Sequence, residues 1–230
     1  MADNHRKHVM RRIAGMLVFV IVFLYFSVGA SPASCTQFVL VTGFEPFANY
    51  TVNPSELIAE ALNGTSLGGA TVVGVVLPVD FNNSVEMTFH AIEQYHPVLV
   101  ISTGLNARSH TIEVEKIGVN LKRYPNGDGT WSFPRRIDKT GPFFRITLLH
   151  TNDIVRKIRD ANISVQQSFF AGTYVCNALF YQMLGYANDQ NRTIKVGFIH
   201  VPLLDSQDPQ GMSLQTMVDA VKIAIQTSLE

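Results

Sequence analysis

The chain alternates short apolar runs with amphipathic segments, and this pattern predicts its elements. Residues 37–42 are apolar enough for a buried strand. They run into Gly43-Phe44-Glu45-Pro46-Phe47, a loop with two aromatics. Asn53-Pro54-Ser55 then opens a helix to about Leu62, with Asn53 as N-cap and Pro54 at the first helical position. Residues 71–77 read as a second strand, 82–95 as a helix, and 98–103 as a third, wholly apolar strand. Residues 112–120 alternate as one strand, with Glu113 and Glu115 on the same side. Helical spacing follows over 148–161, a short strand over 163–169, and a helix from the glycine turn at Gly172 to about Tyr186. A strand over 193–201 and a helix over 212–229 close the chain. Strands alternating with helices imply an α/β sheet covered on both faces. Residues 122–145 break the pattern. They are rich in Gly, Pro and Arg and too long for a plain connection, as lids and interface segments are.

The first 35 residues obey a different pattern. Residues 5–12 are basic, residues 13–28 are a 16-residue apolar run, and Gly29-Ala30-Ser31-Pro32-Ala33-Ser34-Cys35 is a small-residue segment. That is the order of a secretory signal. The apolar run is slightly short of the roughly 20 residues of a membrane-spanning helix, so a retained anchor is the rival. Ala33-Ser34-Cys35 also resembles the end of a lipoprotein signal. Arg11-Arg12 carries nothing else of a twin-arginine signal. The expected division is therefore a signal or anchor segment, 1–35, and a catalytic domain, 36–230. Five Asn-x-Ser/Thr sequons, at Asn49, Asn63, Asn82, Asn162 and Asn191, agree with export.

The 230 residues carry 18 basic and 18 acidic side chains. Without the basic leader the remainder is slightly acidic and has no basic patch, which argues against nucleic-acid binding. Two cysteines, Cys35 and Cys176, leave no disulfide framework and no cysteine-based zinc site.

Cys176 falls in the first turn of its helix, where unpaired backbone N–H groups favour thiolate. Taken locally, a buried structural cysteine is the alternative. His200 ends an apolar strand just before Pro202, and a satisfied core histidine fits that context as well. Glu115 reads locally as an exposed edge carboxylate paired with a lysine. Thiol chemistry needs a thiol, an imidazole and a group that fixes the imidazole. Cys176, His200 and Glu115 supply the three types, but spacing does not bring them together.

Four motifs do carry a resemblance. They are Val41-Thr42-Gly43-Phe44-Glu45-Pro46-Phe47 with Asn53-Pro54-Ser55, Glu115-Lys116 through Asn120, Ala171-Gly172-Thr173-Tyr174-Val175-Cys176-Asn177, and His200-Val201-Pro202. In this order they resemble the type I pyroglutamyl peptidases (pyrrolidone-carboxylate peptidases), a cysteine peptidase family, over about residues 38–228. The resemblance implies a three-layer α/β/α sandwich with a mixed twisted sheet, removal of N-terminal pyroglutamate from peptides, and no metal or cofactor. It implies Cys176 as nucleophile, His200 as acid/base and Glu115 as the orienting carboxylate. It also implies a substrate pocket with Phe44, Phe47, Asn53, Tyr174 and Val175. The family often forms homotetramers and is ordinarily cytoplasmic, so an exported member departs from its norm. Two local departures stand out. Leu105 occupies a position where many members have glutamine, and the active-site arginine expected ten residues after Glu115 is replaced by Pro125, leaving Arg123 as the nearest candidate. The rival reading, motivated by the altered 105–109 loop, is a non-catalytic membrane-tethered binding module on the same fold. A nucleoside phosphorylase on this fold would need a glycine-rich phosphate loop, and none is found.

Overall fold

The computed structural model describes residues 37–188 and 193–230. The proposed leader, the 1–35/36–230 division, Cys35 and Asn191 lie outside the described residues. Among the described residues nine strands and five helices follow in order: β1 (Gln37–Phe44), α1 (Pro54–Leu62), β2 (Ser66–Leu67), β3 (Ala70–Leu77), α2 (Asn83–Tyr95), β4 (Leu99–Leu105), β5 (Ile112–Glu115), β6 (Ile117–Val119), β7 (Phe144–Ile146), α3 (Thr151–Asp160), β8 (Val165–Ser168), α4 (Val175–Asn188), β9 (Lys195–Val201) and α5 (Leu214–Leu229).

Seven strands form one sheet in the order β2-β3-β1-β4-β9-β5-β8. Strands β3, β1, β4 and β9 are parallel, whereas β2 and β5 run antiparallel to their neighbours β3 and β9. The sheet is thus mixed, as the resemblance implied. Because side chains alternate along a strand, each strand feeds two cores. Val39, Val41, Ile101, Ile112, Val114 and Ile199 pack against α1, α3 and α5. Leu40, Val100, Val196 and Phe198 pack against α2 and α4. The result is three layers with the sheet in the middle. By the same alternation His200, two residues after Phe198, faces the α4 layer. So do Glu113 and Glu115, which interleave with Ile112 and Val114.

The structure corrects the reading of residues 112–120 as one strand. The chain leaves the main sheet at Lys116, whose amide donates to the Ser168 carbonyl while its own carbonyl accepts from Thr147. β5 therefore sits between β9 and β8, and β6 pairs with β7 in a separate two-stranded sheet. Glu115 is accordingly no edge carboxylate: it is buried, 1 % exposed. The helix expected over 148–161 starts later, at Thr151, and Leu148, the first residue of that span, lies before it and is exposed.

The irregular excursion after β6 is pinned by two buried asparagines. The Asn177 side-chain amide donates to the Val119 and Leu121 carbonyls and its oxygen accepts from the Val119 N–H, tying α4 to β6. Asn120 donates to the carbonyls of Asp138, Gly141 and Pro142 and accepts from the amides of Ile137 and Asp138. Among the described residues no helix is long and apolar enough to cross a membrane.

Candidate active site

The site lies at the carboxyl ends of the parallel strands, where open α/β sheets place ligands. At Gly172 the backbone takes φ +80°, a conformation glycine adopts without strain, and the chain turns into α4. Cys176 is the second residue of that helix. Its first-turn N–H groups lack intrahelical partners and lend the thiol a positive field. Cys176 is half-buried and lines a cavity, so it is not the inert core cysteine its local sequence also allowed. Beneath it runs Gly104 of β4. A Cβ built there would stand 2.8 Å from the Cys176 sulfur and 3.0 Å from the Phe198 ring, so this position accepts no side chain without moving the thiol.

His200, near the end of β9, is 6 % exposed. Its Nδ1 lies 2.8 Å from Oε1 of Glu115. The Phe198 ring stands 4.8 Å from the imidazole and limits its tilt. Burial on its own would lower the His200 pKa, but hydrogen bonds to Cys176 and Glu115 and their negative charge outweigh it and raise it from 6.5 to about 10. The imidazole is therefore held as a cation beside the thiol. The second Glu115 oxygen is buried without a hydrogen-bond partner. Sulfur, imidazole and carboxylate thus form a row, which the sequence could name but not assemble.

Beside the thiol is a hollow of about 240 Å³, including its mouth, lined by Phe44, Phe47, Asn53, Val79, Leu105, Tyr174, Val175 and Cys176. Cys176 aside, no lining side chain is ionisable near neutral pH. Asn53 holds one wall together. As expected it caps α1, its oxygen accepting from the Ser55 amide and hydroxyl, and its Nδ2 donates to the Glu45 carbonyl of the pocket loop. The Ser55 hydroxyl in turn accepts from the Phe44 amide.

Five pocket residues expected from the sequence, Phe44, Phe47, Asn53, Tyr174 and Val175, meet here. Arg123, the sixth, is not among the residues that line the hollow. Its guanidinium donates to the Ser132 and Trp131 carbonyls and its amide donates to Thr173, so it fastens the 122–135 segment to the loop ahead of Cys176. Two wall residues were missed. Leu105 had been noticed only as a departure, and Val79 not at all. Val79 follows the end of β3, so the strand-end rule applied to Phe44 and Phe47 would have found it.

Glu113 also enters this neighbourhood. One oxygen each of Glu113 and Glu115 and one ring nitrogen of His200 lie within 4.8 Å of one another, the grouping among the described residues that a metal ion could use. Asn106 and Gln166 already donate to the two Glu113 oxygens, and His200 Nδ1 already faces Glu115.

A profile of the pyroglutamyl peptidase family matches residues 37–230. The chain belongs to that family. It is 32% identical over 204 residues to the pyrrolidone-carboxylate peptidase of Thermococcus litoralis, covering 84% of this chain and 93% of that one. It is 35% identical over 199 residues to the Yersinia pestis enzyme of the same name, with the same coverage. The crystal structure of pyroglutamyl peptidase I from Bacillus amyloliquefaciens superposes with a TM-score of 0.78 at 34% identity, covering 84% of this chain and 95% of that one. The Thermococcus litoralis structure gives the same TM-score at 32% identity, with coverage of 84% and 94%. Family membership makes the protein a peptidase and accounts for its three-layer fold.

Proposed function

We propose that this peptidase removes N-terminal pyroglutamate from peptides, with Cys176 as nucleophile, His200 as acid/base and Glu115 as the group that orients His200. The observation that carries the reading is the Cys176–His200–Glu115 row opening onto a small uncharged pocket. A binding module would have no use for such a row.

The chemistry follows from the geometry. Pyroglutamate is a compact neutral lactam, and Phe44, Phe47, Val79, Leu105 and Val175 offer its ring carbons an apolar enclosure. An ordinary N-terminus brings an ammonium group that this pocket would leave buried and unpaired, a penalty of several kcal/mol. The Cys176 thiolate attacks the carbonyl carbon after the ring, and the C=O electron pair moves onto oxygen. Free N–H groups at the start of α4 stabilise that oxyanion. Collapse breaks the C–N bond while the His200 imidazolium gives its proton to the departing amine, leaving a thioester on Cys176. His200, now neutral, takes a proton from water. The hydroxide equivalent attacks the thioester, and free pyroglutamate leaves with the thiolate restored.

The test is turnover of a pyroglutamyl-coumarin amide beside its prolyl and alanyl analogues. The proposal expects hydrolysis of the first alone. Equal turnover of all three, or of none, would sink it.

Two further statements belong to the same proposal. Export is supported by the basic–apolar–small order of residues 5–35 and by exposure of all four sequon asparagines among the described residues, Asn49, Asn63, Asn82 and Asn162. Sequencing the mature N-terminus from native cells tests it, and a cytoplasmic protein beginning at Met1 or Ala2 counts against it. Self-association is supported by the exposed Phe133, Phe143 and Phe144 of the long excursion. Sedimentation equilibrium tests it, and a monomer at all concentrations counts against it.

A further inference from the structure

The sheet order lays the site out as a line. The pocket is lined from the ends of β3, β1 and β4, Cys176 sits over β4 at Gly104, His200 is on β9, and Glu113 and Glu115 are on β5. A substrate with its ring in the pocket and its carbonyl at the sulfur must send its leaving amine toward His200, the proton donor. The next side chain then points toward β5. Neighbouring strands are about 4.8 Å apart, so β5 is roughly 10 Å from β4, and a residue one Cα step of about 3.8 Å beyond the carbonyl reaches it with a long side chain.

Glu113 is the group waiting there. It is register-paired with His200 across the antiparallel β5–β9 ladder, so both side chains rise on the same face at the rim. Glu115, two residues on, lies deeper and is spent on His200. Glu113 is half-buried and is held by two neutral donors, Asn106 Nδ2 at 2.8 Å and Gln166 Nε2 at 2.9 Å. These neutral contacts fix its position; the nearest cation, the His200 imidazolium, lies within 4.8 Å but is already paired with Glu115, and no lysine or arginine of the described residues pairs with Glu113. Arg108, on the nearby turn, is exposed and joins no ion pair with this carboxylate. The pocket itself has no charge with which to read the rest of the peptide.

We infer that Glu113 is a specificity-determining residue for the position after pyroglutamate, forming a subsite that takes basic side chains and disfavours acidic ones. The inference rests on the pyroglutamyl peptidase reading of the same site. Its mechanism is through-space attraction at a partly solvated rim, so it weakens with salt.

The experiment uses the purified full chain and three amidated peptides, pyroglutamyl-Lys-Ala, pyroglutamyl-Ala-Ala and pyroglutamyl-Glu-Ala, with kcat/KM measured at low and at high salt. At low salt the lysyl peptide should exceed the glutamyl one by about fivefold or more, since attraction and repulsion each contribute at a rim site. The ratio should shrink toward one at high salt and in Glu113→Gln, and Glu113→Asp should restore part of it. A merely structural role would change all three peptides together and leave the ratio unmoved. Equal cleavage of the three peptides by the wild-type protein overturns the subsite alone, as does a ratio that survives Glu113→Gln. Failure to cut any of them overturns the pyroglutamyl reading along with it. Should Glu113→Gln not fold, the salt dependence of the wild-type ratio decides.

Discussion

Replacing Gly104 by alanine tests the geometry of the site with a single methyl group. The added Cβ would lie 2.8 Å from the Cys176 sulfur and 3.0 Å from the Phe198 ring. Carbon and sulfur need nearly 1 Å more than this, because van der Waals contacts between heavy atoms sit at about 3.5–4.0 Å. Sulfur is the softer neighbour, at the end of a short side chain, whereas Phe198 is packed in the core against Phe180, with ring centroids 5.8 Å apart. The sulfur therefore yields and leaves its line with His200. Misplacing a reacting atom by about 1 Å costs on the order of 100-fold in rate, whereas overpacking costs about 1–3 kcal/mol of stability. Gly104→Ala should thus lose about two orders of magnitude in kcat on a pyroglutamyl-coumarin amide. It should still unfold cooperatively, a few degrees below wild type, when circular dichroism is followed against temperature. Near-wild-type kcat in the folded variant would refute the placement of Cys176 against β4.

Four other outcomes follow from the site. His200, raised to about 10, keeps its proton through neutral pH and loses it above that value, so kcat/KM should fall on an alkaline limb near pH 10, and Glu115→Gln, which removes a supporting charge, should move that limb toward acid. Cys176→Ser should abolish turnover without unfolding the protein, and iodoacetamide should inactivate the wild type in step with labelling of Cys176. Phe47→Ala removes a pocket wall and should cost about 1–3 kcal/mol in kcat/KM on a pyroglutamyl amide, with the thiol still alkylated at its normal rate. Arg123→Ala, which frees the 122–135 segment from its anchor, should lower kcat by less than the roughly 100- to 1,000-fold typical of a lost oxyanion donor; a loss of that full size would return Arg123 to the chemistry.

Much of the architecture is written in local signals. Strand and helix positions follow from runs such as residues 37–42 and 98–103, and the α1 start from Asn53-Pro54, because period and capping act over a few residues. The three chemical groups could be named from their types and motifs, as could most of the pocket wall. Long-range contacts decided the rest. Residues 112–120 look like one alternating strand, yet Ser168 and Thr147, distant in sequence, take the hydrogen bonds of Lys116 and split it. Glu115 looked like an exposed carboxylate because burial depends on which strands flank β5, and β9 and β8 come later in the chain. Arg123 was named for its residue type, and the carbonyls its Nε and Nη2 donate to, Ser132 and Trp131, are ones that only the folded excursion brings within reach. Sequence alone set the period, the caps and the available chemistry, since these are properties of neighbours along the chain. Which groups touch, and so which thiol meets which imidazole, was settled by strand order, a property of the whole sheet.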